Sequence, residues 1–174
     1  VSDLYAVTGD ILHKKGEEQE AFAAYDSCLQ WKDDNVMALN NYAYYLSVKG
    51  TDLHKAESMS YKTIKAEPNN GTYLDTYAWI LFMEERYADA KTYIDQALKN
   101  RDSTADNSTV LEHAGDIYYM NGMADESVDF WKKAYTGENL TEVLAWKIKN
   151  RQYITEEELK KRNAPKQNAA ATKK

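Results

Sequence analysis

The side chains here that could do chemistry are three histidines, one cysteine and a large stock of carboxylates. His13, His54 and His113 each lack another histidine three to five residues away, so no helical histidine pair for zinc is present. Asp10 with His13, and His113 with Asp116, stand at i, i+3, a spacing that places both members on one face of a helix. Such a pair can share a proton or a metal ion, or simply be an exposed polar pair. Cys28 is the single cysteine, so no internal disulfide forms, and it falls at a small-residue position that predicts packing rather than a reactive thiol. There is no glycine-rich phosphate loop and no G-x-S-x-G. The expectation is a chain without catalytic residues, metal or cofactor. Asn107-Ser108-Thr109 and Asn139-Leu140-Thr141 match the short glycosylation triplet.

Charge narrows the class of partner. The formal net charge of the 174 residues is −6, unevenly placed. Lys160, Lys161, Arg162, Lys166, Lys173 and Lys174 are the only charges in the last fifteen residues, so residues 1–159 carry −12. An acidic body argues against nucleic acid and for basic partners that meet it quickly at low salt. No run of 18 apolar residues exists, so no membrane span is predicted. The chain begins at Val1 with helical periodicity at once, which reads as a piece of a longer protein.

The elements that must position these residues are helices. Val110 to Ala134 shows Leu111, Ala114, Gly115 and Tyr118 on one helical face, a break at Gly122, and Ser127, Val128, Trp131 and Ala134 on a second face. Only two prolines occur, Pro68 and Pro165, both outside the predicted helices. The small residue of the first helix recurs as Gly9, Ala43, Ala78 and Gly115, spaced 34, 35 and 37 apart. The second-helix partners Ala21, Ala56, Ala90 and Ser127 are spaced 35, 34 and 37. Inward-facing sets are predicted as Tyr5, Thr8, Gly9 and Leu12; Leu39, Tyr42, Ala43 and Leu46; Leu74, Tyr77, Ala78 and Leu81. Asp33-Asp34-Asn35 predicts a helix start, as do Thr109 with Glu112 and Thr155 with Glu158 as capping boxes.

With four phased copies of this pattern, residues 2–136 resemble the tetratricopeptide-repeat (TPR) family, whose period is about 34 residues. Glu85 stands in place of the usual turn glycine and Ser60 where an aromatic is expected. The resemblance implies an all-α fold, a right-handed α-solenoid of four TPR hairpins (about 2–35, 36–70, 71–107 and 108–137) plus C-terminal capping helices over 138–162. Leu140, Val143, Leu144 and Ile148 form the capping stripe, with Lys147 and Lys149 pointing elsewhere. Residues 163–174 have no large apolar side chain and read as a disordered basic tail. The segment KKAYTGENLTEVLAWKIKNRQY is similar to the last repeat of bacterial envelope-associated TPR proteins, which implies a periplasmic or envelope location.

In this family the first helices line a concave groove that binds an extended peptide or partner helix. Carried over, the groove comprises Asp10 and His13; Asn40, Asn41, Tyr44 and Ser47; Asp75, Thr76, Trp79 and Phe82; Glu112, His113, Asp116 and Tyr119. Family members that clamp acidic C-terminal peptides use Lys and Arg here, and this chain has Asp, Asn, Glu and His instead, so that function is not carried over. The expected ligand has basic and apolar side chains, and the four aromatics are either its anchors or filler between helices. The reading is a non-enzymatic adaptor. Self-association of the repeats and a scaffold role within a larger multidomain protein remain the alternatives.

Overall fold

The computed structural model describes residues 1–171, with side chains to Ala164. Ten helices and no strand occur among the described residues: α1 (Ser2–Lys14), α2 (Glu18–Trp31), α3 (Val36–Lys49), α4 (Leu53–Ala66), α5 (Gly71–Met83), α6 (Tyr87–Asn100), α7 (Ser108–Met120), α8 (Ala124–Ala134), α9 (Glu142–Asn150) and α10 (Glu156–Ala171). They fall into two compact units, Val1–Asp102 and Ser103–Lys174.

In Val1–Asp102 three antiparallel hairpins, α1–α2, α3–α4 and α5–α6, pack in series, with the first helices α1, α3 and α5 adjacent. The apolar stripes close the core where expected. Leu39, Tyr42, Ala43 and Leu46 are buried, as are Leu74, Tyr77, Ala78 and Leu81. From the second helices come Ala21, Tyr25, Cys28, Ala56, Ala90, Ile94 and Ala97. Cys28 packs in the core and its Sγ lies 3.1 Å from Ser2 Oγ. Asn35 caps α3 by accepting from the Ala38 amide at 3.1 Å, and Asn70 caps α5 by accepting from Thr72 and Tyr73.

One stripe is rotated from its predicted place. On α1 the buried residues are Ala6 and Gly9, while Tyr5 and Thr8 are exposed. The packing partners of α1 are α2 and α3, and the close approach of Tyr25 at Gly9 sets the helix rotation. The rotation turns Leu4, Val7 and Ile11 to solvent.

The hairpin turns share one device, including the turn that lacks its glycine. After α1, Gly16 donates to His13 O and Glu17 to Leu12 O; after α7, Gly122 donates to Tyr119 O and Met123 to Tyr118 O. After α5 the same two bonds run from Glu85 to Phe82 O (2.9 Å) and from Arg86 to Leu81 O (2.9 Å). Glu85 is thereby held at φ +61°, matching +80° at Gly16 and +78° at Gly122. A side chain in this left-handed conformation costs about 1 kcal/mol or more. Glu85→Gly is therefore expected to stabilise Val1–Asp102 by about 1 kcal/mol, read as a higher midpoint in urea with an unchanged slope.

In Ser103–Lys174, α7 and α8 form a hairpin against which α9 packs. Ala114, Ile117, Val128, Trp131, Ala134 and Leu144 are its core. Three expectations change here. Thr109 does not cap α7: the helix begins at Ser108, whose amide donates to Asp106 Oδ1 at 2.9 Å and holds the exposed Asp106 carboxyl below its usual range. Glu112 is freed from the box and bonds Asn139 and Lys147 instead. Leu140 precedes α9 and is exposed, whereas Lys147 is buried with 3% of its surface accessible. The Thr155–Glu158 box does form, with reciprocal bonds of 2.9 and 3.2 Å. Helix α10 continues past Arg162 through Ala171, with Pro165 inside it, where the sequence predicted a disordered tail; residues 172–174 of that tail lie outside the described residues.

Candidate functional site

Helix α1 carries Gly9 followed by Asp10, and both act on Tyr25 of α2. A Cβ at Gly9 would lie 2.7–2.9 Å from the Tyr25 ring, closer than side chains pack, so glycine alone admits the ring here. The Tyr25 hydroxyl then donates to Asp10 Oδ1. Burial is the largest cause pushing the Tyr25 phenol far above its ordinary range, and the Asp10 bond adds to it, so Tyr25 stays a neutral donor. Asn41 of α3 donates to the same Asp10 oxygen at 3.0 Å, and Asn40 donates to Asn41 Oδ1 at 3.2 Å. One carboxylate thus fixes the register of three helices.

The same device recurs in Ser103–Lys174. Gly115 is followed by Asp116, and a Cβ at Gly115 would overlap the Trp131 ring, its Cγ only 3.0 Å away. The Trp131 indole N–H donates to Asp116 Oδ1 at 2.9 Å. Tyr25 and Trp131 each follow their glycine by sixteen residues. The third partner also keeps its offset. Asn41 follows Asp10 by 31 residues, and Lys147 follows Asp116 by 31. Helix α9 therefore meets its hairpin as α3 meets the first one, and Lys147 takes the place of Asn41.

That exchange changes the electrostatics. Lys147 Nζ donates to Asp116 Oδ1 at 2.7 Å and Oδ2 at 3.0 Å, and to Glu112 Oε1 at 3.3 Å. It lies 5.9 Å from the centre of the Trp131 ring and 5.2 Å from that of Tyr153. Burial pushes the Asp116 carboxyl up, with the Lys147 charge and hydrogen bond pulling it back. Asp116 was expected to line an open acidic face. Asp116 is buried against Lys147 of α9, and His113 is buried too, so neither belongs to an exposed polar pair. The signal that could have exposed Lys147 was the 31-residue offset, visible only once Asn41 is known to bond Asp10.

The expected groove residues divide by accessibility. On α1, α3 and α5, Asp10, His13, Asn41, Tyr44, Asp75 and Trp79 are half-buried and reachable, whereas Asn40, Ser47, Thr76 and Phe82 are buried. Ser47 donates back to Tyr44 O at 2.6 Å. His13 stacks on Tyr45 at 3.5 Å and 9°. Trp79 stacks on Phe82 at 4.7 Å and 14°, which holds its ring in a fixed orientation. In Ser103–Lys174, Glu112 and Tyr119 are half-buried, and Tyr119 lies 5.9 Å from Trp131.

Antiparallel helix pairs of this length, a small residue receiving an aromatic in the first and fourth, and left-handed turns between define the class of helical-hairpin repeat proteins. The fold is that of tetratricopeptide-repeat proteins. No protein-family model matches the chain. It is similar to a TPR repeat-containing protein of Pseudomonas aeruginosa, 36% identical over 66 residues. That match covers 38% of this chain and 11% of the relative, so the chain spans about a tenth of that protein. Among solved structures, PilF of Pseudomonas aeruginosa superposes with a TM-score of 0.72 at 16% identity, covering 86% of this chain and 67% of PilF. YrrB, described as a TPR protein with an unusual peptide-binding site, superposes with a TM-score of 0.58 at 21% identity, covering 75% of this chain and 66% of YrrB. At these identities the structural matches establish the fold. No helix among the described residues is long and apolar enough to cross a membrane.

Proposed function

We propose that the chain is a non-enzymatic interaction scaffold that holds a peptide or partner segment, basic and apolar in character, on the face formed by α1, α3 and α5. One observation carries this reading. On neighbouring helices α3 and α5, a polar pair (Asn40-Asn41, Asp75-Thr76) is followed one turn later by a half-buried aromatic, Tyr44 or Trp79. Asn41 and Asp75, the half-buried member of each pair, beside aromatic anchors are the makings of a binding hot spot. The peptide-binding site named for YrrB supports the same reading on the same fold. The acidic body favours Lys and Arg in the ligand.

Selection of random displayed peptides against the chain is expected to enrich sequences with Lys or Arg beside apolar residues. Trp79→Ala should weaken the selected peptides by ~2 kcal/mol, roughly thirtyfold. Helicity by circular dichroism should persist, because Trp79 is only half-buried. Enrichment of acidic peptides, or equal binding by Trp79→Ala, would overturn the reading.

A further inference from the structure

We propose that His54, Glu57 and Glu84 form a binding site for a divalent first-row transition cation of the zinc type, separate from the peptide-binding face. His54 and Glu57 are i, i+3 on the first turn of α4 and so share a face. Glu84 ends α5, where the chain reverses. One donor atom of each residue lies within 4.8 Å of the other two, and His54 Nδ1 is 3.7 Å from Glu84 Oε1. Tetrahedral zinc places its nitrogen and oxygen donors roughly 3.3 Å apart. The fully exposed His54 side chain is free to rotate toward that spacing.

Glu84 supplies an independent sign that something belongs there. Its side chain is nine-tenths buried, yet Oε1 accepts no hydrogen bond. A buried carboxylate oxygen without a donor carries an uncompensated desolvation cost, and this one faces an imidazole nitrogen across an ion-sized gap. Arg86 satisfies other oxygens of the cluster, donating from Nη1 to Glu57 Oε1 at 2.7 Å and to Glu84 Oε2 at 3.3 Å. Two carboxylates and one guanidinium still leave a net charge of −1. Arg86 also holds Asp89, through Nε at 3.2 Å and Nη2 at 3.1 Å, so it keeps a partner when a metal draws the carboxylates away.

The surroundings fit a three-ligand site with an open position. An open surface pocket of about 300 Å³, lined by His54, Glu57, Ser58, Tyr61 and Tyr77, lies beside two of the three ligands and leaves room for a metal-bound water. The Tyr77 hydroxyl lies 3.3 Å from Glu57 Oε1 and orients that carboxylate, as second-layer partners of metal ligands do. One imidazole nitrogen with two carboxylate oxygens favours zinc, cobalt or nickel over the all-oxygen preference of calcium and magnesium.

The test titrates Zn²⁺ into the full chain by calorimetry and follows Co²⁺ by its visible absorption. One ion per chain is expected. His54→Ala and Glu84→Gln should each weaken binding by at least ~10-fold and abolish the cobalt signal. His54→Ala cannot be dismissed as misfolding, since the imidazole is fully exposed. Arg86→Ala should tighten binding by removing the competing cation. Absence of binding to the wild type, or one-ion binding that survives His54→Ala, overturns the proposal. Peptide selection on the α1, α3 and α5 face is unaffected by either result.

Discussion

Gly115→Leu is expected to unfold the α7–α8 hairpin under conditions where the wild type is folded. Trp131 is fully buried, and its indole crosses the spot where a side chain at 115 would stand. It cannot step aside cheaply, because its N–H is committed to Asp116 and its ring is packed among Val128, Ala134 and Leu144. Overpacking of this kind costs ~1–3 kcal/mol, and expelling the tryptophan instead forfeits ~3–5 kcal/mol of packing. Leucine is a better helix former than glycine by ~1 kcal/mol, which is too little to offset either. Gly115→Ala gains the same propensity with less bulk, so its loss should be smaller. Urea denaturation followed by circular dichroism gives the comparison. A Gly115→Leu midpoint equal to that of the wild type would show that Trp131 does not pack on Gly115.

Lys147→Met should be nearly as damaging, for an electrostatic reason. The ammonium and the Asp116 carboxylate each keep only 4% of their side-chain surface. Removing one member of a buried pair leaves an uncompensated charge, at a cost of ~3–5 kcal/mol. Glu112, 3.3 Å from the same ammonium, would then face Asp116 without a cation between them. Burial already pushes the Asp116 carboxyl up, and losing Lys147 removes the largest influence that opposes it. The double variant Lys147→Met with Asp116→Asn removes both charges and keeps an acceptor for the Trp131 N–H. Most of the lost stability should return in it. If the single and double variants unfold at the same urea concentration, the pair carries no such coupling and the damage comes from lost packing.

Periodicity alone determined the helices, their pairing and most of the core. The small residues Gly9, Ala43, Ala78 and Gly115 mark the close helix contacts because a Cβ, or its absence, acts within one pair of neighbouring helices. The Thr155–Glu158 box and the Asn35 cap were legible for the same reason: both partners lie three residues apart. What depended on residues some thirty apart was not legible. Lys147 reads as one more charge on an amphipathic stripe until α9 docks and brings it to Asp116. Tyr5 and Thr8 read as inward-facing until the Tyr25 ring at Gly9 fixes the rotation of α1. His54, Glu57 and Glu84 are ordinary residues in sequence, and the packing of α4 against α5 makes them a cluster. Accessibility on the first-helix face was likewise decided by packing, which covers Ser47, Thr76 and Phe82 and leaves Tyr44 and Trp79 within reach. A helical period fixes which residues share a face, but the charges and surfaces opposite that face are supplied by distant segments and exist only once the helices have docked.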